Sequence, residues 1–93
     1  MANEVIKKDG SREPFNEGKI RRAIEGAARE AGLLDQRISE VVEQVFRATL
    51  EQTGRKQEIA TSEIRTTILY ELQRVEPKVH EAWLTYERRK QNQ

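Results

Sequence analysis

Apolar residues recur at helical spacing along most of the chain. In the first run they stand at i, i+3, i+4, i+7, i+8 and i+11, which places them on one face of an α-helix. The pattern predicts helices over about 16–31, 35–53, 61–74 and 77–91. The four predicted apolar stripes are Ile20, Ala23, Ile24, Ala27, Ala28 and Ala31; Ile38, Val41, Val42, Val45, Phe46 and Leu50; Ile64, Ile68, Leu72 and Val75; and Val79, Ala82, Trp83 and Tyr86.

The ends of these runs carry residues that start or stop helices. Side-chain oxygens at an N-cap accept hydrogen bonds from free backbone amides, glycine ends a helix, and proline fits a first turn. We therefore expect Asn16, Asp35 and Thr61 or Ser62 as caps, Gly32 and Gly54 as stops, and Pro77 in the first turn of the fourth helix.

Residues 4–15, EVIKKDGSREPF, predict a β-hairpin. Asp9-Gly10 is a strong hairpin signal because glycine tolerates the positive φ of a type I′ turn. A two-stranded hairpin is marginal in water, so it must lie on the helices. Residues 55–60 could add an edge strand. The expected fold is α+β and mostly α: a four-helix bundle capped by a hairpin or three-stranded sheet, in one domain over 1–93.

Composition narrows the class of protein. The 17 basic and 16 acidic residues nearly cancel, which favours a folded domain over disorder and gives little attraction to nucleic acid. The lack of cysteine excludes disulfides, zinc ribbons and thiol chemistry and suits the cytoplasm. No apolar stretch approaches the roughly 20 residues of a membrane span, and the polar start is no signal peptide. We expect a cytoplasmic protein with no nucleic-acid or membrane partner.

No motif indicates a catalytic or metal site. The spacing from Gly10 to Gly18-Lys19 is too long for a Walker A loop, and Ile20 stands where Ser or Thr should hold magnesium. A lone His80 without cysteine partners gives no metal site.

The basic residues of the hairpin are more informative. Lys7 and Lys8 point to opposite faces of a strand, so one of them can face the helices. Beside Lys19 and the amides that begin the first helix, it would form a polyphosphate site, to which Thr61 could add a hydroxyl. Alternatively, these lysines only keep an exposed strand edge soluble. The residues by themselves leave both interpretations open.

The order of residues in VIKKDGSREPFNEGKIRRAI resembles the opening motif of the ATP-cone family, Val-x-Lys-Arg-Asp-Gly, Glu-x-Phe, Asn or Asp, Lys-Ile. ATSEIRTTILYEL resembles its Thr-x-x-Ile stretch, and EAWLTYERRK its final aromatic helix. The resemblance covers essentially the whole chain. It implies a four-helix bundle with a small β-sheet lid and allosteric binding of ATP and often dATP. Such cones occur in ribonucleotide reductase large subunits and in the repressor of ribonucleotide reductase genes.

The resemblance also implies ten nucleotide-binding positions. Val5 and Lys7 would line the adenine side of the lid, with Lys8 at the family's usual Arg; Glu13, Asn16, Lys19 and Ile20 would contact ribose and phosphates; Thr61 and Arg65 would hold the nucleotide from the third helix; and Lys90 would reach a phosphate. Magnesium would be bound chiefly by the phosphate oxygens of the nucleotide.

Two positions depart from the family pattern. Lys8 is a point charge where arginine would form a planar fork. Glu87 stands where a basic residue or histidine often follows the aromatic, and it would repel phosphate if it faced the site. Arg88 and Arg89 could compensate for it.

The expected function is that of a non-catalytic regulatory domain. It would bind ATP or dATP and transmit the nucleotide state by changing subunit or domain association. The expected partner is another copy of the chain or a ribonucleotide reductase-related subunit. A helical protein-interaction or nucleic-acid-binding module that does not use nucleotide is the alternative, and a stand-alone enzyme is a third. The chain fits both a complete protein and an excised N-terminal domain.

Overall fold

The structure is a computed structural model that describes residues 4–91. Residues 1–3 and 92–93 of the predicted domain lie outside the described part. The elements in chain order are β1 (Glu4–Ile6), β2 (Arg12–Pro14), α1 (Glu17–Glu30), α2 (Asp35–Thr53), β3 (Glu58–Ala60), α3 (Thr61–Val75) and α4 (Pro77–Gln91). The predicted α+β class is confirmed, with four helices and a three-stranded sheet.

The four helices pack around a shared apolar core. Helices α1 and α3 each contact both α2 and α4. The predicted stripes supply the buried apolar residues of the helices, which are Ile24, Ala27, Ala28, Ile38, Val41, Val42, Val45, Phe46, Ile64, Ile68, Leu72 and Val79. Full burial of a valine, leucine, isoleucine or phenylalanine side chain stabilises the fold by about 1.5–3 kcal/mol. The helices therefore form one core, on which the sheet also rests.

Two residues of the predicted stripes are exposed instead of facing the core. Ala23 of α1 is exposed, and Tyr86 of α4 is 53% exposed. Both line a groove in which α1 and α4 separate. The prediction that they point inward is wrong because these positions border an opening between two helices.

The helix ends match the sequence only in part. Asn16 caps α1, since its side-chain oxygen accepts a hydrogen bond from the Lys19 amide at 3.1 Å. Gly32 follows α1 with the left-handed φ of 83° that favours glycine. The predicted cap Asp35 is wrong, because it is the first residue of α2 and its side chain makes no capping bond.

Helix α3 also begins differently from the prediction. Its N-cap is Ala60, and neither Thr61 nor Ser62 caps it, since both already lie in the helix. The chain enters α3 directly from β3, so the Thr61 hydroxyl turns to the sheet and donates to the Ile6 carbonyl at 3.2 Å.

The sheet has the order β2-β1-β3, with β1 antiparallel to β2 and parallel to β3. The suggested edge strand within residues 55–60 is therefore present. Val5 of β1 pairs with Ile59 of β3, and both are buried against the helices. This apolar pair fixes which face of the sheet covers the core.

The hairpin turn is not of type I′. The Gly10 amide donates to the Lys7 carbonyl at 3.0 Å, so Lys8 and Asp9 are the central residues. Neither has a positive φ, whereas Gly10 has φ 87°. This is the pattern of a type I turn followed by a left-handed glycine. Asp9 supports it by accepting a hydrogen bond from the Ser11 amide at 2.9 Å.

Candidate functional site

A cavity of about 370 Å³ lies between the sheet and helices α1, α3 and α4. Its volume falls within the range of small-molecule sites. The structure brings together around it eight of the ten residues implied by the resemblance, namely Val5, Glu13, Asn16, Lys19, Ile20, Thr61, Arg65 and Lys90. We call this space the lid cavity.

Glu13 faces the lid cavity because of the sheet register. It pairs with Val5, and paired residues project to the same face. Its carboxylate lies 3.3 Å from the Lys7 Nζ and 3.5 Å from the Lys19 Nζ. Burial raises the pKa of Glu13, but the two ammonium groups outweigh it and hold the pKa below its ordinary value. An ionised Glu13 therefore connects the sheet to α1.

Lys7 and Lys8 do not line the lid cavity itself. Lys7 is two residues after Val5 and therefore projects to the same face, where it meets Glu13. Lys8 is an exposed residue of the turn, and its charge acts on the Glu87 carboxylate of α4. Of the two lysines, Lys7 is thus the one directed toward the helices.

Two helices begin at the lid cavity. Asn16 lines it from the N-cap of α1 and Lys19 from the first turn, and Thr61 and Ile64 line it from the first turn of α3. The N-terminal end of a helix carries free amides and a partial positive charge, which favour anions. The cavity therefore combines two such ends with the basic side chains of α1, α3 and α4.

Arg65 and Glu87 form a bidentate ion pair between α3 and α4. The Arg65 Nε and Nη2 each lie 2.7 Å from one carboxylate oxygen of Glu87. Arg65 lowers the pKa of Glu87 below its ordinary value, and the neighbouring Trp83 indole adds to the lowering although its N–H makes no hydrogen bond in this geometry. The negative charge of the ionised Glu87 is therefore balanced by the positive charge of Arg65.

The expected compensation by Arg88 and Arg89 is wrong. Arg89 pairs with Glu30 of α1 at 2.6 Å, and Arg88 contacts Thr85 at 3.4 Å. Neither arginine pairs with Glu87, since residues that follow each other directly on a helix face different directions.

Sequence reasoning found the apolar lining residues Val5 and Ile20 but missed five others. Pro14, Ala23, Ile64, Ile68 and Trp83 share the lid cavity with the polar residues. Trp83 could have been found, because it precedes Glu87 by four positions and Lys90 by seven, which puts all three on one face of α4. The prediction placed it on the inward stripe of α4, and the structure packs it, partly buried, against the core while it also lines the cavity wall.

A groove of about 600 Å³ between α1 and α4 adjoins the lid cavity. The two spaces share Lys19, Ala23, Trp83 and Lys90, and Glu87 lines the groove. Basic side chains over an apolar wall suit a ligand that is both anionic and aromatic.

Two further features are absent from residues 4–91. Nowhere in this range do three or more histidine, aspartate or glutamate side chains form a group that could hold a metal ion. None of the four helices is both long and apolar enough to cross a bilayer.

A protein-family model matches nearly the whole chain. The family model described as the ATP cone domain matches residues 3–92. The match includes each residue around the lid cavity and all seven elements over their full length.

Proposed function

Because the chain belongs to the ATP-cone family of regulatory, adenine-nucleotide-binding domains, we propose that it binds ATP or dATP in the lid cavity. The observation that carries the proposal is the meeting of Lys19, Arg65 and Lys90, from three helices, around one partly apolar space. Cations and helix N-termini suit the phosphates, and an apolar wall suits the base.

In this proposal the ten residues contact or face different parts of the nucleotide. Lys19, Arg65 and Lys90 hold phosphates, and Glu13, Asn16, Ile20 and Thr61 contact the ribose and the nearest phosphate. Val5 lines the adenine side under the sheet, Lys7 lies beside it on the same face next to Glu13, and Lys8 adds positive charge from the turn.

Magnesium enters this proposal only with the nucleotide. Glu13 is the one carboxylate among the described residues that line the lid cavity, and two lysines already hold it. The phosphate oxygens therefore supply the principal ligands, and the remaining coordination positions keep water.

The regulatory output in this proposal is a change of association. A bound nucleotide favours the arrangement of sheet and helices to which it binds best, and a partner reads that surface. The partner is another copy of this chain or a ribonucleotide reductase-related subunit, and catalysis belongs to the partner or to another domain. Glu13 links the sheet to α1, and Thr61 links the sheet to α3. A nucleotide that shifts the sheet therefore acts on both helices.

Calorimetric titration with ATP, dATP and ADP tests the binding. We expect saturable binding, and a rise in stability of about 2.7 kcal/mol at a ligand concentration one hundred times the Kd. A chain that gives no binding heat and no shift in melting temperature with adenine nucleotides at millimolar concentration would contradict the proposal.

Sedimentation velocity tests the output separately. We expect ATP and dATP to give different profiles for the assembly that contains this domain. Identical profiles with ATP, with dATP and without nucleotide would rule out a change of association while leaving the binding proposal intact.

A further inference from the structure

Arg65 is already occupied by a carboxylate of the chain itself. Its Nε and Nη2 donate to the two oxygens of Glu87, both at 2.7 Å. This fork geometry is the one in which a guanidinium binds a phosphate. The cation that α3 contributes to the lid cavity therefore has its best donor pair engaged before any ligand arrives.

The surroundings of Glu87 are those of a bound anion. Arg65 faces it from α3, and Lys8 acts on it from the hairpin turn. Next to it on α4 lies Trp83, whose buried indole N–H has no hydrogen-bond partner among the described residues. The Glu87 side chain is only 29% exposed. Positive and donor groups thus converge on its carboxylate from three elements.

We propose that Glu87 is an internal competitor for the phosphate of the ligand: it pairs with Arg65 in the absence of nucleotide and must be displaced when a nucleotide binds. The inference rests on the proposed function and adds a specificity device to it. The exchange costs free energy for a ligand whose phosphate reaches Arg65 and nothing for a nucleoside. Glu87 therefore sets the affinity below the value that the cations alone would give.

A purely structural ion pair would behave differently. In that case Glu87 joins α3 to α4, and its removal lowers stability without strengthening nucleotide binding. Competition predicts a gain in affinity that depends on both the phosphates and Arg65.

The first experiment compares the wild type with Glu87→Gln, which keeps the shape of the side chain and removes its charge. Titrations with ATP and with adenosine are followed by calorimetry and by the fluorescence of Trp83, the only tryptophan of the chain. We expect ATP to bind about fivefold more tightly to the variant than to the wild type. This gain lies at the low end of typical couplings between two sites, because the ion pair is partly exposed. Adenosine affinity should not change.

Glu43→Gln is the matched control. Glu43 accepts a hydrogen bond from Arg21 at 2.5 Å, and it lines neither the lid cavity nor the groove beside it. Its replacement also removes one carboxylate from an arginine pair, and it should leave ATP affinity as in the wild type. An equal gain in ATP affinity in both variants would show that only the net charge of the protein matters, and it would overturn the inference.

A double-mutant cycle tests whether Glu87 acts through Arg65. In an Arg65→Ala background, the further change Glu87→Gln should give little or no gain for ATP. If Glu87→Gln raises ATP affinity as much without Arg65 as with it, Glu87 only repels the phosphates and does not compete for Arg65. That result would overturn the inference. Glu87→Asp, which keeps the charge on a shorter side chain, provides a second folded variant and should bind ATP with intermediate affinity.

The possible failures are distinguishable. If the wild type binds ATP and Glu87→Gln binds it no more tightly, the competitor inference fails and the proposed function stands. If neither chain binds ATP, the proposed function fails and the inference falls with it. Binding by Glu87→Gln alone supports both.

Discussion

The hydroxyl of Thr61 donates a hydrogen bond to the carbonyl oxygen of Ile6 at 3.2 Å, across 55 positions of sequence. The bond joins the first residue of α3 to the last residue of β1. It therefore holds the end of the central strand against the start of α3, beside the lid cavity that Thr61 lines.

Thr61→Val should loosen the sheet from α3. Valine has nearly the shape of threonine but no donor, so the Ile6 carbonyl loses this partner. Because Thr61 is exposed, we expect a loss in the free energy of unfolding of about 0.5–1 kcal/mol, near the lower end for one hydrogen bond. Urea denaturation measures it, with Thr61→Ser, which keeps the hydroxyl, as the control. Equal stability of Thr61→Val and the wild type would show that the bond contributes nothing.

Lys19→Ala should weaken nucleotide binding selectively. Lys19 lines both the lid cavity and the groove, and its Nζ lies 3.5 Å from Glu13. We expect a loss in ATP affinity of about tenfold, as for one charge-assisted contact, and no change for adenosine. Calorimetry measures both ligands.

The control for Lys19 is Lys56→Ala. Lys56 pairs with Glu63 at 2.7 Å and lines neither of these two spaces. A similar loss of ATP affinity in both variants would mean that only the net charge of the protein matters.

The Arg65–Glu87 pair should make stability depend on pH in a defined direction. The pKa of Glu87 lies below its ordinary value of 4.5, chiefly because of Arg65. The stabilisation by the ionised pair is therefore complete above that ordinary pKa and is lost as the pH falls through the lowered one. The stability difference between the wild type and Glu87→Gln should be constant at neutral pH and shrink in acid. Denaturation curves over a pH series check it, and a difference that grows in acid would contradict the assignment.

Two glycines should respond to alanine in opposite ways. Gly32 has φ 83°, so alanine there is strained by about 1 kcal/mol even though its Cβ would meet nothing within 4 Å. Gly26 lies inside α1 with the same open space and no positive φ, so Gly26→Ala should stabilise by about 0.5–1 kcal/mol. Thermal unfolding of both variants compares them. Changes of the same sign would refute this account.

Much of the fold could be predicted because its causes are local. The spacing of apolar residues located all four helices, and Asn16 and Gly32 correctly marked the ends of α1. Predictions failed where a neighbouring element decides the role or the exposure of a side chain. Thr61 is no cap because β3 runs straight into α3, and Tyr86 is exposed because α1 and α4 separate beside it.

The sequence by itself determined the helices, the hairpin and the family, because periodicity and motif order are properties of consecutive residues. It also supplied most of the residues now found around the lid cavity. Only the tertiary structure decided which charges meet. That Glu13 joins Lys7 to Lys19, and that Arg65 closes on Glu87, depends on strand register and helix packing. Ion pairs form over a few ångströms, and residues far apart in sequence reach that separation only when the core has set the positions of the elements that carry them.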